Sequence, residues 1–110
     1  MEMIRATAAF AALGHETRLG AIRLLIAAGP DGLIAGEICT GLGVLQNTMS
    51  SHLAALGQAG LVRSQREGRA IRYFADIDGL RGLLGYLMED CCGGRPEICQ
   101  PLIDQLACAC

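Results

Sequence analysis

The chain has 110 residues, a length that fits one domain with a modest core. Hydrophobic residues make up 52% and charged residues 18%, which excludes a disordered chain and suggests that some apolar surface closes a subunit interface. The formal net charge is −2, no apolar run approaches the roughly 20 residues of a membrane span, and Met1-Glu2-Met3-Ile4-Arg5 is no signal peptide, so a cytoplasmic protein without membrane contact is expected.

Residues 3–13 read as a short helix with Ile4, Ala8 and Ala11 on one side. Residues 15–28 read as a second, with Leu19, Ile22, Leu25 and Ile26 at helical spacing. Gly29-Pro30-Asp31-Gly32 breaks it. Residues 34–41 form a third, short helix with Ile34 and Ile38 on its buried face, and Gly41 and Gly43 mark the turn that follows. Residues 45–58 form a fourth. Its stripe is Leu45, Met49, Leu53 and Leu56, while Asn47, Ser51 and Gln58 point the opposite way, flanked by Thr48 and Ser50. Gly60 ends this helix. Two short strands follow, near 61–66 and 70–75, joined by a polar turn at Glu67-Gly68. A last helix spans about 79–90, where Leu80, Leu83, Leu84, Leu87 and Met88 fill the amphipathic template. Gly93-Gly94 closes it, and a further turn of helix is expected near 101–107.

Charge is distributed unevenly along this order. Residues 47–75 carry Arg63, Arg66, Arg69 and Arg72 against Glu67 alone, a local +3. The rest of the chain is neutral to acidic. All nine basic residues are arginines, the type suited to bidentate phosphate contacts.

Helix, Gly-containing turn, polar-faced helix and hairpin, in that order, define a mainly α fold with a β-hairpin wing: a winged helix-turn-helix. In such a unit the second helix of the pair lies in the major groove and its N-terminal residues meet base edges. Here those residues are Gln46, Asn47, Thr48, Ser50 and Ser51, short donors and acceptors suited to bases and phosphates. His52, at the border of the buried stripe, either donates to a phosphate or packs at the helix edge. Arg66, Arg69 and Arg72 on the hairpin suit flanking phosphates or the minor groove. The expected partner is double-stranded DNA. No phosphate loop is present and the two histidines are better placed elsewhere, so an enzyme is not expected.

Several segments resemble the ArsR/SmtB family of metal-responsive repressors. They are Leu42-Gly43-Val44-Leu45-Gln46-Asn47-Thr48-Met49-Ser50-Ser51-His52-Leu53, Ala59-Gly60-Leu61-Val62, Arg66-Glu67-Gly68-Arg69 with Tyr73-Phe74, and Ala12-Leu13-Gly14-His15-Glu16-Thr17-Arg18-Leu19. The resemblance covers about residues 5–90. It implies a homodimer formed by the first and last helices, a palindromic operator, and a ligand that weakens DNA affinity. Two positions depart from the family's pattern. Leu45 stands where the family often places Ser or Thr, and His15-Glu16 replaces the more usual Asp-Pro.

The chain carries six cysteines. In a reducing compartment such a count favours metal or redox chemistry over a disulfide framework. Cys39 keeps one cysteine of a pair that arsenic sensors of the family often carry on the third helix, and Gly41 replaces the other, so Cys39 reads as a small apolar core residue. The histidine-and-carboxylate zinc site of the last helix is also missing. Cys91, Cys92 and Cys99 resemble the Cys-Cys…Cys site of an arsenite-responsive subgroup. Adjacent cysteines have Cα atoms about 3.8 Å apart, below the roughly 4.4–6.8 Å of ordinary disulfides. Two thiolates side by side suit a thiophilic ion instead. Gly93-Gly94 and Pro96 let Cys99 supply a third sulfur, matching pyramidal As(III) or Sb(III). Zinc normally takes four ligands, which Cys108 or Cys110 could complete, although both fit a nonfunctional tail better. The chain is therefore expected to comprise a DNA-binding and dimerisation domain, 1–90, and a cysteine-rich sensor tail, 91–110. It needs no cofactor, and As(III) or Sb(III) is the inducer. The alternatives are a thiol redox switch, for example Cys92 with Cys99, or a zinc, cadmium or lead sensor.

Overall fold

The computed structural model describes residues 1–88, 100–102 and 104–105. Among these the elements run α1 (Met3–Leu13), α2 (Glu16–Ala28), β1 (Leu33–Ile34), α3 (Ala35–Leu42), α4 (Gln46–Gln58), β2 (Val62–Glu67), β3 (Ala70–Ala75) and α5 (Ile77–Met88), with a 3-10 turn at Gly29–Asp31 after α2. Residues 100–102 and 104–105 are helical, overlapping the stretch 101–107 expected to hold a further turn. Cys91, Cys92, Cys99, Cys108, Cys110 and the Gly93-Gly94 stop lie outside the described residues.

One core holds the elements together. Leu25 of α2, Ile38 of α3, Met49, Leu53 and Leu56 of α4, Leu61 and Leu83 of α5 are its largest fully buried side chains. They converge because each helix places its apolar residues three or four apart on one face. The α1 contribution is small: it buries Ala6, Ala9 and Ala12, whose side chains let its backbone lie close on its neighbours. The side with Ile4, Ala8 and Ala11, expected from the sequence to pack inward, is the exposed one, and Ile4 is 79% accessible. In α2, Ile22 and Leu25 are buried while Leu19 and Ile26 stay about half exposed.

Three elements are closed by local chemistry. At the end of α4, the Gly60 N–H donates to the Gly57 carbonyl and the Leu61 N–H to the Leu56 carbonyl at 3.0 Å. This paired pattern satisfies the last carbonyls and drives Leu61 into the core. At the start of α5, Asp76 Oδ1 accepts from the Gly79 N–H at 3.0 Å. In α2, His15 takes the capping role, its Nδ1 accepting from the Thr17 N–H at 3.1 Å.

The strands form an antiparallel sheet in the order β1-β3-β2. The expected hairpin is present, but its two-residue turn is Gly68-Arg69, one residue later than expected, since Glu67 pairs with Ala70. The third strand, β1, has only two residues, too few for any periodicity to announce it. It also takes Ile34 out of α3, and Ile34 is half-buried as the residue before the helix, with its N–H donating to Glu37 Oε1 at 2.9 Å. Gly32 lets the chain enter β1. Its φ is +62°, and a Cβ there would collide with the Tyr73 carbonyl and the Phe74 ring, so no other residue fits without backbone movement.

Leu45 was expected in the buried stripe of the fourth helix. Instead it precedes α4 in an extended conformation, φ −67° and ψ 148°, and is 76% exposed. Its side chain therefore leaves in a direction the helical period does not govern. Likewise, α5 buries Leu83 and half-buries Leu80, whereas Leu84 and Leu87 are 51% and 56% exposed.

Candidate nucleic-acid interface

Helix α4 presents its N-terminal face outward. Gln46, Asn47, Thr48, Ser50 and Ser51 are all exposed, while Met49, Leu53 and Leu56 anchor the opposite side. The exposed residues are therefore rigidly placed by a fully buried stripe on the same helix. Ser50 Oγ donates to the Gln46 carbonyl at 3.1 Å, which fixes the hydroxyl and leaves its lone pairs outward.

The two flanks of this face differ. On one flank, Gln46 and Ser50, one turn apart, line a cleft of about 420 Å³ with Ile34, Ala35 and Gly36. Its far wall is the hairpin, through Arg69, Ala70, Ile71 and Tyr73. The sheet thus sets an arginine across from the start of α4. On the other flank, His52, one turn beyond the exposed Thr48, faces the start of α2. There the Arg18 Nε–H donates to His52 Nδ1 at 3.1 Å, and the His15 and His52 rings lie 4.4 Å apart, tilted by 45°. Burial lowers the His52 pKa below its ordinary value, helped by the nearby His15 and Arg18. Arg18 was not singled out from the sequence. Its partner lies 34 positions away, a separation that carries no local signal.

The arginines of the hairpin have different surroundings. Arg69 sits in the turn, exposed. Arg66 is exposed on the strand, its Nε–H making a long 3.4 Å contact with the Gly68 carbonyl. Arg72 is committed within the molecule: its Nε pairs with Glu67 Oε2 at 3.0 Å and its Nη1 donates to the Asp31 carbonyl at 3.2 Å. That pair ties β3 to the hairpin tip on one side and to the 3-10 turn on the other. Arg63 lies over the Phe74 ring, 5.4 Å from its centre. Cys39 is half-buried and packs against the core. Among the described residues no group of three or more His, Cys, Asp or Glu side chains is placed to hold a metal ion, and no helix is long and apolar enough to cross a membrane.

A buried-stripe helix with a polar outer face, flanked by an arginine-bearing hairpin, defines a winged helix-turn-helix. Known proteins agree. A helix-turn-helix domain family matches residues 13–65. An ArsR-like transcriptional regulator from Rhodococcus sp. RHA1 is 30% identical, with 96% of this chain and 90% of that one covered and a TM-score of 0.66. The homodimeric winged helix-turn-helix DNA-binding domain Mb0332 from Mycobacterium bovis is 28% identical, covering 80% and 82% at a TM-score of 0.63. The arsenical resistance operon repressor of Escherichia coli (strain K12) is 38% identical over 64 residues, which are 58% of this chain. The match spans 53% of that repressor's length. The chain belongs to the ArsR family of winged helix-turn-helix transcriptional regulators.

Proposed function

We propose that the chain is an operator-binding repressor that acts as a homodimer and is released by As(III) or Sb(III) bound to Cys91, Cys92 and Cys99. The observation that carries the DNA half is the exposed face Gln46–Ser51, set rigidly on a buried stripe and walled by Arg69 of the hairpin. Gln46, Asn47, Thr48, Ser50 and Ser51 read base edges and His52 lies at their flank. Arg66 and Arg69 meet phosphates, and Arg72 holds the hairpin at the angle this requires. The dimer is supported by the apolar residues left exposed on α1 and α5, Ile4, Phe10, Leu84 and Leu87, and by the homodimeric relative from Mycobacterium bovis.

The sensor half rests on the sequence that follows α5 and on the similarity to the arsenical repressor. Residues 1–90 are the DNA-binding and dimerisation domain, and 91–110 the sensor tail. Three thiolates fill the pyramidal coordination of trivalent arsenic, and no resident cofactor is required. Binding at the end of α5 reorders the dimer interface, changing the spacing of the two α4 helices, which operator half-sites hold fixed. A coupling of about 1–3 kcal/mol is enough to shift operator affinity by one to two orders of magnitude.

The test compares effectors on the DNA-bound protein. Arsenite and antimonite should each release it. Zinc, cadmium, lead and peroxide should not. Release by peroxide alone, reversed by dithiothreitol, would replace this reading with a thiol redox switch.

A further inference from the structure

The only two histidines of the chain stand against one another at the flank of α4, and their hydrogen bonds define which nitrogen of each carries the proton. A guanidinium has donors and no acceptor. The 3.1 Å contact from Arg18 Nε to His52 Nδ1 therefore requires an unprotonated Nδ1. The reverse ring orientation would set a carbon against the guanidinium. His52 is thus neutral with its proton on Nε2. Among the described residues Nε2 has no partner, and it is not fully buried, because no fully buried side-chain nitrogen or oxygen there lacks one. His52 lies one turn beyond the exposed Thr48, at the edge of the outward face of α4.

We propose that Arg18 is a positioning residue for DNA binding: it locks His52 in the Nε2–H form, so that His52 gives a neutral, directed hydrogen bond to a backbone phosphate oxygen. This rests on the DNA reading given above. His52 is then a donor that adds no charge, unlike Arg66 and Arg69. The lock also holds α4 against α2, since a charged imidazole at this position would face Arg18 and His15 from α2 and lose its acceptor. The lowered His52 pKa agrees with that arrangement. Neutrality has a measurable consequence. A cation on a phosphate releases a counterion and steepens the salt dependence by about 0.9 per contact, and a neutral donor does not.

The experiment has two arms. In the first, long-range proton–nitrogen NMR spectra are recorded on the wild-type chain at pH 7.5 without DNA. The Nε2–H form of His52 is expected, and an Nδ1–H form or an imidazolium would overturn the lock. Arg18→Gln should give a mixture of tautomers, and an unchanged spectrum would equally overturn it. In the second arm the probe is the duplex that the wild-type chain selects from a randomised pool. His52→Ala should weaken binding about tenfold with the same salt slope and the same sequence preference. His52→Gln, whose amide N–H₂ reaches near the Nε2 position, should recover most of the loss, and His52→Asn little of it. A slope lowered by about 0.9 would make His52 a cationic contact. A changed sequence preference would make it a base reader, and no loss would make it a packing residue; each contradicts the proposal. A wild-type chain that selects no duplex would overturn the DNA reading and with it the donor role, while the tautomer is read independently.

Discussion

Arg69 and Arg72 differ by three positions and by almost everything that decides whether a cation can serve DNA. Arg69 is exposed in the hairpin turn, across the cleft from Gln46 and Ser50. Arg72 shares its charge with Glu67 and bonds the Asp31 carbonyl. Arg69→Ala should weaken binding to all duplexes alike and lower the salt slope by about 0.9, read from affinities at several salt concentrations. An unchanged slope would remove Arg69 from the phosphate contacts. The Glu67–Arg72 pair is partly exposed, so Glu67→Gln should cost no more than about 1 kcal/mol in urea unfolding. Stability should also depend on pH through His52. Its folded pKa lies below the unfolded value near 6.5, so between the two the unfolded chain binds more protons. The contribution is fully present above pH 6.5 and is lost as pH falls toward the folded value. A urea midpoint that drops on acidification in the wild-type chain, and drops less in His52→Gln, is expected.

The elements were legible where a period governs and illegible where contact over distance governs. The helices around Ile22, Leu25, Met49, Leu53 and Leu83 follow from spacing alone, because each buries a stripe. Leu45 broke the rule: it matches the stripe's spacing but sits one residue before the helix. The two residues of β1 gave no pattern, and neither did Arg18 on His52 nor Arg72 on Asp31, partners 34 and 41 positions apart. Gly32 was visible only as part of a break, yet its positive φ and the adjacent Tyr73 carbonyl make it the hinge on which β1 meets β3. Gly32→Ala should therefore cost at least about 1–3 kcal/mol, seen as a fall in the thermal midpoint. A stability loss within experimental error would contradict the crowding there. Ile38→Ala, at the centre of the core, should cost about 2–5 kcal/mol.

At the scale of the whole molecule, the net charge and the function point in opposite directions. Under the proposed function, a chain of net −2 binds DNA because its arginines are concentrated between residues 47 and 75, with Arg66 and Arg69 exposed on the hairpin, and a dimer would present that patch twice. A dimer would in turn account for apolar side chains left exposed among the described residues, Leu84 and Leu87 of α5, each about half exposed, and Ile4 of α1, 79% exposed. Leu87→Glu should shift the chain to monomer in sedimentation experiments without unfolding it. Its operator affinity should fall, because half-sites then bind separately. Cys91 and Cys92 follow α5 by three and four positions in the sequence, and under the proposed function that adjacency is the route by which a ligand at the tail would reach the interface.

The measurement that bears most directly on this account is fluorescence anisotropy of labelled operator duplex bound to the protein, titrated with arsenite. The wild-type chain should leave the DNA and Cys91→Ser/Cys92→Ser should remain bound at the same arsenite concentrations, with unchanged affinity before the titration. Release of that double variant by arsenite would contradict the assignment of the sensor to these cysteines.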